Sequence, residues 1–173
     1  LMWNNAVYGS DINARMVDTA KTNIVNTKVH LNKSQITHTI VHQDAKYIQE
    51  IKFIDDVDVI VTEWYLGEVM TQKNLSNERI DKQRDLLTEI YNWFFHGLQQ
   101  LNFKWKIVIS FPFWEKDGKY LYFEEIYKIL SQFCVIEDVL ENVHAINASK
   151  VWSLLYKRKS QIVGREIFVL KLL

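Results

Sequence analysis

Three acidic residues each close an apolar or β-branched run: Asp11 after Ala6-Val7-Tyr8-Gly9-Ser10, Asp44 after Ile36-Thr37-His38-Thr39-Ile40-Val41-His42-Gln43, and Glu63 after Val57-Asp58-Val59-Ile60-Val61-Thr62. An ionised carboxylate only accepts hydrogen bonds, and the carboxyl ends of strands are where open α/β sheets bind ligands. Asp11, behind the small pair Gly9-Ser10 and ahead of Ile12, suits the two hydroxyls of a ribose; it equally suits an acid stabilising the N-terminus of the next helix. Asp44 suits the exocyclic amine of an adenine, with Ala45 offering a backbone amide; a simple turn aspartate is its other reading. Glu63 runs into Trp64 and Tyr65, and a carboxylate beside aromatic faces suits a planar nitrogen-bearing group that stacks while the acid accepts its N–H. The alternative makes the aromatics core anchors and Glu63 a solvated cap. Independent accidents are not expected to place three acids at successive strand ends.

Other chemistries find less support. His30, His38, His42, His96 and His144 lack metal-ligand spacing, so no metal site is expected. No glycine-rich phosphate loop and no nucleophile elbow occurs. Lys150, Lys157, Arg158, Lys159 and Arg165 form a basic cluster, either a phosphate-contacting edge or the solvated loop of a hairpin guarding an edge strand.

The elements that must position these residues read as alternating strands and helices. The unalternating β-branched run at 57–62 suits a strand buried on both faces, as in a helix-covered parallel sheet. Residues 1–3 resemble a helix tail ended by Asn4-Asn5, and 6–12 a short buried strand. Asn13 then caps a helix with Met16, Val17, Ala20, Ile24 and Val25 on one face, fading near 26–28. Residues 36–42 predict a strand, 45–53 a short helix or turn, and 67–77 a polar loop over the site. The longest helical pattern, 78–103, follows a cap at Ser76 or Asn77, with Ile80, Leu86, Leu87, Ile90, Trp93, Phe94, Leu98 and Leu101 as its buried stripe. Residues 106–112 predict a buried strand stopped by Pro112, 113–119 a loop turning at Asp117-Gly118, and 120–133 an amphipathic helix. Residues 135–140 predict a strand, and 151–156 with 166–170 a closing antiparallel hairpin bent at Gly164. The order predicts an α/β fold with a mainly parallel sheet in a single domain spanning 1–173.

Bulk properties agree with a folded domain. The 173 residues are 48% apolar, and Lys plus Arg balance Asp plus Glu at 21 each, so no global basic field advertises nucleic acid. The single cysteine, Cys134, forms no internal disulfide, which points to a reducing compartment and a small core residue. No apolar run is long enough for a bilayer span and no cleavable signal opens the chain. The abrupt start at Leu1 predicts a piece of a longer protein.

The run Tyr8-Gly9-Ser10-Asp11-Ile12-Asn13-Ala14-Arg15-Met16-Val17, followed by Ala20 and Asn23, is similar to the second motif of class I S-adenosylmethionine-dependent methyltransferases. More narrowly it resembles the THUMP-associated putative RNA methylases, including tRNA guanine-N2 methyltransferases. Asp44-Ala45 resembles their adenine-side motif, and Val61-Thr62-Glu63-Trp64-Tyr65-Leu66-Gly67 sits where they carry Thr-Asp-Pro-Pro-Tyr-Gly. Leu155-Tyr156-Lys157-Arg158 through Gln161-Ile162-Val163-Gly164-Arg165-Glu166-Ile167 is similar to the closing hairpin of some members. The resemblance covers nearly the whole chain, and Gly9-Ser10-Asp11-Ile12 is its most specific segment.

It implies a Rossmann-like class I fold with a C-terminal antiparallel hairpin and S-adenosylmethionine held by Gly9, Asp11, Ile12, Asp44 and Ala45. It also implies catalytic Glu63, Trp64 and Tyr65 acting on a base amino group in RNA, tRNA in particular, in the cytoplasm and without a membrane partner. Two departures stand out. The family's glycine-rich first motif would lie upstream of Leu1, on a strand between those of Val7 and Val59. Both motif prolines are absent: Glu63 replaces Asp, Trp64 and Tyr65 fill the proline places, and Leu66 that of the stacking aromatic, so the rigid turn is lost. A degenerate fold kept as a binding or scaffold module stays open, as does a methyltransferase for DNA amines or a small molecule.

Overall fold

The structure, a computed structural model, describes residues 6–31, 37–63, 65–138 and 153–173. Two compact units divide the chain, Leu1–Val57 and Asp58–Leu173.

In the first unit, β1 (Val7–Asp11) and β2 (His38–His42) pair in parallel, Val7 opposite His38 and Asp11 opposite His42. Helix α1 (Ala14–Leu31) connects them and starts where the Asn13 side chain accepts the Arg15 N–H at 3.0 Å. The helix outlasts the expected 26–28 end. Of its predicted face only Val17 is buried, while Met16 and Val25 are exposed; β1 is likewise only half-covered. Two 3-10 turns, Ala45–Glu50 and Ile54–Asp56, bury Ile48, Ile51 and Ile54, and Tyr8 stacks on Phe53 with ring centroids 4.9 Å apart.

The second unit is built on a six-stranded sheet. Strand β3 (Val59–Glu63) lies parallel to β4 (Lys106–Lys116), and β5 (Lys119–Tyr122) folds back on β4 through Asp117-Gly118. Helices α2 (Asn77–Gln100) and α3 (Glu125–Phe133) follow β3 and β5 in turn. Strand β8 (Val163–Leu172) inserts antiparallel between β4 and β6 (Cys134–Glu137), and β7 (Leu154–Tyr156) pairs with the start of β8. By these registers β3, β4 and β6 run one way and β8 the other. The fold is therefore α/β with mixed sheets. Hydrogen bonding is parallel at β1–β2 and β3–β4 and antiparallel at every other pair, so the six-stranded sheet is not mainly parallel by pairing. The long β8 is the cause, since both its edges carry reversed neighbours.

The core sits on one side of this sheet. Ile107, Ile109 and Phe111 alternate with outward residues along β4, and Leu170 and Phe168 face them from β8, all fully buried. Tyr91 of α2 meets Phe111 edge-on at 4.8 Å, and Tyr127 of α3 meets Phe168 at 6.0 Å. The other side is open at β3, where Val59 and Val61 are exposed, but closed further along β4, where Ser110 and Trp114 are buried. Val61 is 73% exposed, so β3 is not buried on both faces as its composition suggested.

Local expectations shift where long-range packing decides. Pro112 does not stop β4: beyond Ser110 the edge that faced β3 is unpaired until β5 joins at Phe113, a place where a strand tolerates proline. Residues 113–116 and 119–122 are thus a hairpin rather than a loop and the start of a helix. On α2, capped by Ser76, one of the two expected caps, Leu86 and Trp93 face solvent while Gln83, Tyr91 and Phe95 are buried. Gly164 is no bend: it lies within β8 opposite Phe113, whose ring leaves no room for a Cβ. Cys134 is buried, which pushes its thiol up to about 12. The expected helix tail at 1–3, Ile36, Trp64, residues 139–140 and 151–152 of the predicted strands, His144 and Lys150 lie outside the described residues. Among the described residues no helix is long and apolar enough to cross a membrane.

Candidate functional site

Glu63 is the last residue of β3 and pairs in register with Ser110, while Arg165 of β8 pairs with Pro112. Opposed residues share a side of the sheet, as do positions two apart. Glu63, Ser110, Pro112 and Arg165 therefore project from the same face of the sheet, and the guanidinium crosses β4 to reach the carboxylate. Arg165 Nη2 lies 2.6 Å from Glu63 Oε1, a charge-assisted pair with side-chain exposures of 20% and 57%. The hydrogen bond from Arg165 is the main reason the Glu63 carboxyl is held below its ordinary range; partial burial opposes it, and the charges of Arg165 and Arg158 add to it. The acid is thus ionised and already partnered.

Beside this pair opens a cleft of about 570 Å³, a size suited to a nucleoside-like ligand. Its walls are the segment after β3 (Leu66 to Gln72), the β4–β5 turn, the β7–β8 connection with Lys159 and Gln161, and Arg165. The two connections are locked together: Lys157 bridges Glu115 at 2.5 Å, and the Glu115 N–H donates to the Ile162 carbonyl at 2.8 Å. Two members of the sequence-predicted basic cluster, Lys157 and Arg165, therefore turn inward to acids, which the solvated-loop reading did not foresee. Tyr65 is partly exposed, and its carbonyl accepts from the buried Tyr91 hydroxyl at 3.2 Å.

The other predicted site residues belong to the first unit. Asp11 and Asp44 stand at or just past the same ends of neighbouring parallel strands. Asp11 Oδ1 accepts the Asn13 N–H at 2.7 Å, and Asp44 Oδ1 accepts the Lys46 N–H at 2.9 Å, capping the first 3-10 turn. Both acids thus play the turn and cap roles open to them. Gly9 lies opposite Ile40 and Ala45 opens the 3-10 turn. Ile12 exposes its side chain, and its carbonyl accepts from His42 Nε2 at 2.8 Å. Two strand-end carboxylates offer acceptors of the kind that the hydroxyls and amine of an adenosine group would need.

Sequence reasoning missed Arg165 as the partner of Glu63, and Gln83 and Tyr91 beneath the following segment. The last two were discoverable, since 83, 87 and 91 fall on one side of α2, but a stripe drawn from apolar residues alone passes over them. No protein-family model matches the chain, and no curated protein matches it either.

Proposed function

We propose that the chain forms the cofactor-binding and catalytic part of an S-adenosylmethionine-dependent methyltransferase of Rossmann-like class I type. It acts on a base amino group in RNA, a guanine-like target in tRNA by the family resemblance, in the reducing cytoplasm. The observation that carries the reading is Glu63: an ionised acceptor at the end of a parallel strand, beside a nucleoside-sized cleft. Asp11 and Asp44 at the ends of β1 and β2 support it, as does the reversed β8, which agrees with the closing antiparallel hairpin the resemblance implies. S-adenosylmethionine, when bound, supplies an electrophilic methyl group on a sulfonium. Asp11 accepts from ribose hydroxyls and Asp44 from the adenine amine, alongside Gly9, Ile12 and Ala45. Glu63 accepts an N–H of the target amine, and Tyr65, with Trp64, gives the base an aromatic face. Catalysis on this reading is mostly positioning.

Calorimetry on the full-length protein tests the cofactor half. Asp11→Ala should weaken S-adenosylmethionine binding about tenfold or more, the worth of a hydrogen bond to a charged group. Unchanged affinity removes Asp11 from the site, and no binding by the wild-type protein removes the reading. Transfer of labelled methyl to total RNA, lost in Glu63→Ala, tests the catalytic half. A second reading, a methyltransferase-like fold kept as a binding module, is favoured by Arg165 already occupying Glu63. Cofactor binding without transfer to RNA, DNA or small amines would select it.

A further inference from the structure

The segment after β3 lacks the prolines that would stiffen it, yet it is tied along one side of α2. The Tyr91 hydroxyl donates to the Tyr65 carbonyl at 3.2 Å, and Gln83 Nε2 donates to the Glu68 carbonyl at 3.2 Å. The run from 65 to 68 can span at most roughly 10 Å. Eight helical residues rise about 12 Å, so the segment runs antiparallel along α2 with one tie near each end. Gly67 sits between the ties with φ +96°, and a Cβ there would lie 2.0 Å from Gln83 Oε1. Only glycine satisfies both the left-handed backbone and the approach of the amide. Arg79 adds an outer ion pair to Glu68 at 2.8 Å, and Met70 is buried just beyond.

Gln83 is 4% exposed, and its Oε1 has no hydrogen-bond partner among the described residues. Burying half an amide unsatisfied is costly, and an apolar side chain of similar length would avoid that cost. What it would lose is the hold on the Glu68 carbonyl. Burial also pushes the Tyr91 hydroxyl upward, so it stays protonated and remains a donor at working pH.

We propose that Gln83 and Tyr91 are positioning residues: they fasten the segment that carries Tyr65 and follows Glu63, supplying from the helix the rigidity that prolines would supply within the chain. The role in catalysis rests on the methyltransferase reading; the fastening itself does not. Tyr91→Phe keeps the buried ring and Gln83→Met keeps the side-chain length, so either variant decides the matter should the other fail to fold. Amide hydrogen exchange read by mass spectrometry on the full-length protein should accelerate about tenfold in residues 65–70, with β4 and β8 unchanged. Methyl transfer should fall in kcat with the KM for S-adenosylmethionine unchanged. Unaltered exchange in 65–70 overturns the fastening. A loosened segment with unaltered kcat overturns the positioning role. No methyl transfer by the wild-type protein overturns the reading beneath it, and the exchange result then still decides whether α2 holds the segment.

Discussion

Glu63 and Arg165 meet at 2.6 Å although 102 residues separate them in sequence. The pair has a direct pH signature. Because the Glu63 pKa is lowered in the folded chain, the pair's stabilisation is fully present above the ordinary carboxylate value of 4.5 and is lost as pH falls through the depressed folded value. Arg165→Gln should return Glu63 toward 4.5, read by carbon-13 NMR titration of its side-chain carboxyl. The carboxylate is more than half exposed, so the stability change at neutral pH should be small, roughly 0–1 kcal/mol by denaturant titration. Wild type and variant should converge in acid. A Glu63 titration that ignores the substitution would show that Arg165 does not set its charge. For catalysis the pairing cuts both ways: Arg165 keeps the acceptor ionised and aimed, but a target amine must share or displace it. The variant should therefore alter the acidic limb of any pH–rate profile.

Between the sheet and its turns, close approach rather than propensity sets the shape. A Cβ on Gly164 would stand 2.1 Å from the Phe113 ring, and that ring is buried and cannot swing away. Gly164→Ala should cost about 1–3 kcal/mol, the usual range for overpacking, and Phe113→Leu in the same chain should recover part of it. Melting that leaves Gly164→Ala as stable as wild type would mean that β4 and β8 separate at this register without penalty. The same hairpin marks where the sequence stopped being informative. The cap at Ser76, the irregular stretch after β3, the βα alternation and the closing hairpin were all readable from local pattern. The passage of β4 through Pro112 was not, because it depends on which neighbour flanks that edge. Nor was the strand at Lys119–Tyr122, whose apolar residues fit either period over so short a span. On α2, Leu86 and Trp93 looked like core by type but face solvent, while Gln83 and Tyr91, left out of the apolar stripe, are buried. The acids at the strand ends were legible because each ends its own run. Arg165 was not, since only the sheet order brings it beside Glu63.

Among the described residues the core is unevenly shared. The first unit buries Val17, Ile48, Ile51 and Ile54, whereas the second buries the large aromatics Tyr91, Phe94, Phe95, Phe111, Phe113, Trp114, Phe123 and Phe168. A two-stranded sheet is marginal by itself, and few buried apolar groups imply low-energy local opening. Amides of β1, β2 and α1 should therefore exchange through openings well below the global unfolding energy. Those of β4, β8 and α2 should exchange only by global unfolding. The residues assigned to the cofactor, Gly9, Asp11, Ile12, Asp44 and Ala45, all lie in the unit expected to open first. A ligand that binds only the closed form stabilises it by RT ln(1 + [L]/Kd), about 2.7 kcal/mol at a hundredfold excess over Kd. Saturating S-adenosylmethionine should thus slow exchange in β1 and β2 roughly a hundredfold and leave β4 and β8 almost untouched. Protection that appears evenly in both units, or only around the cleft beside Glu63, would place the ligand elsewhere and detach Asp11 and Asp44 from cofactor binding while leaving the Glu63 site to be judged on its own.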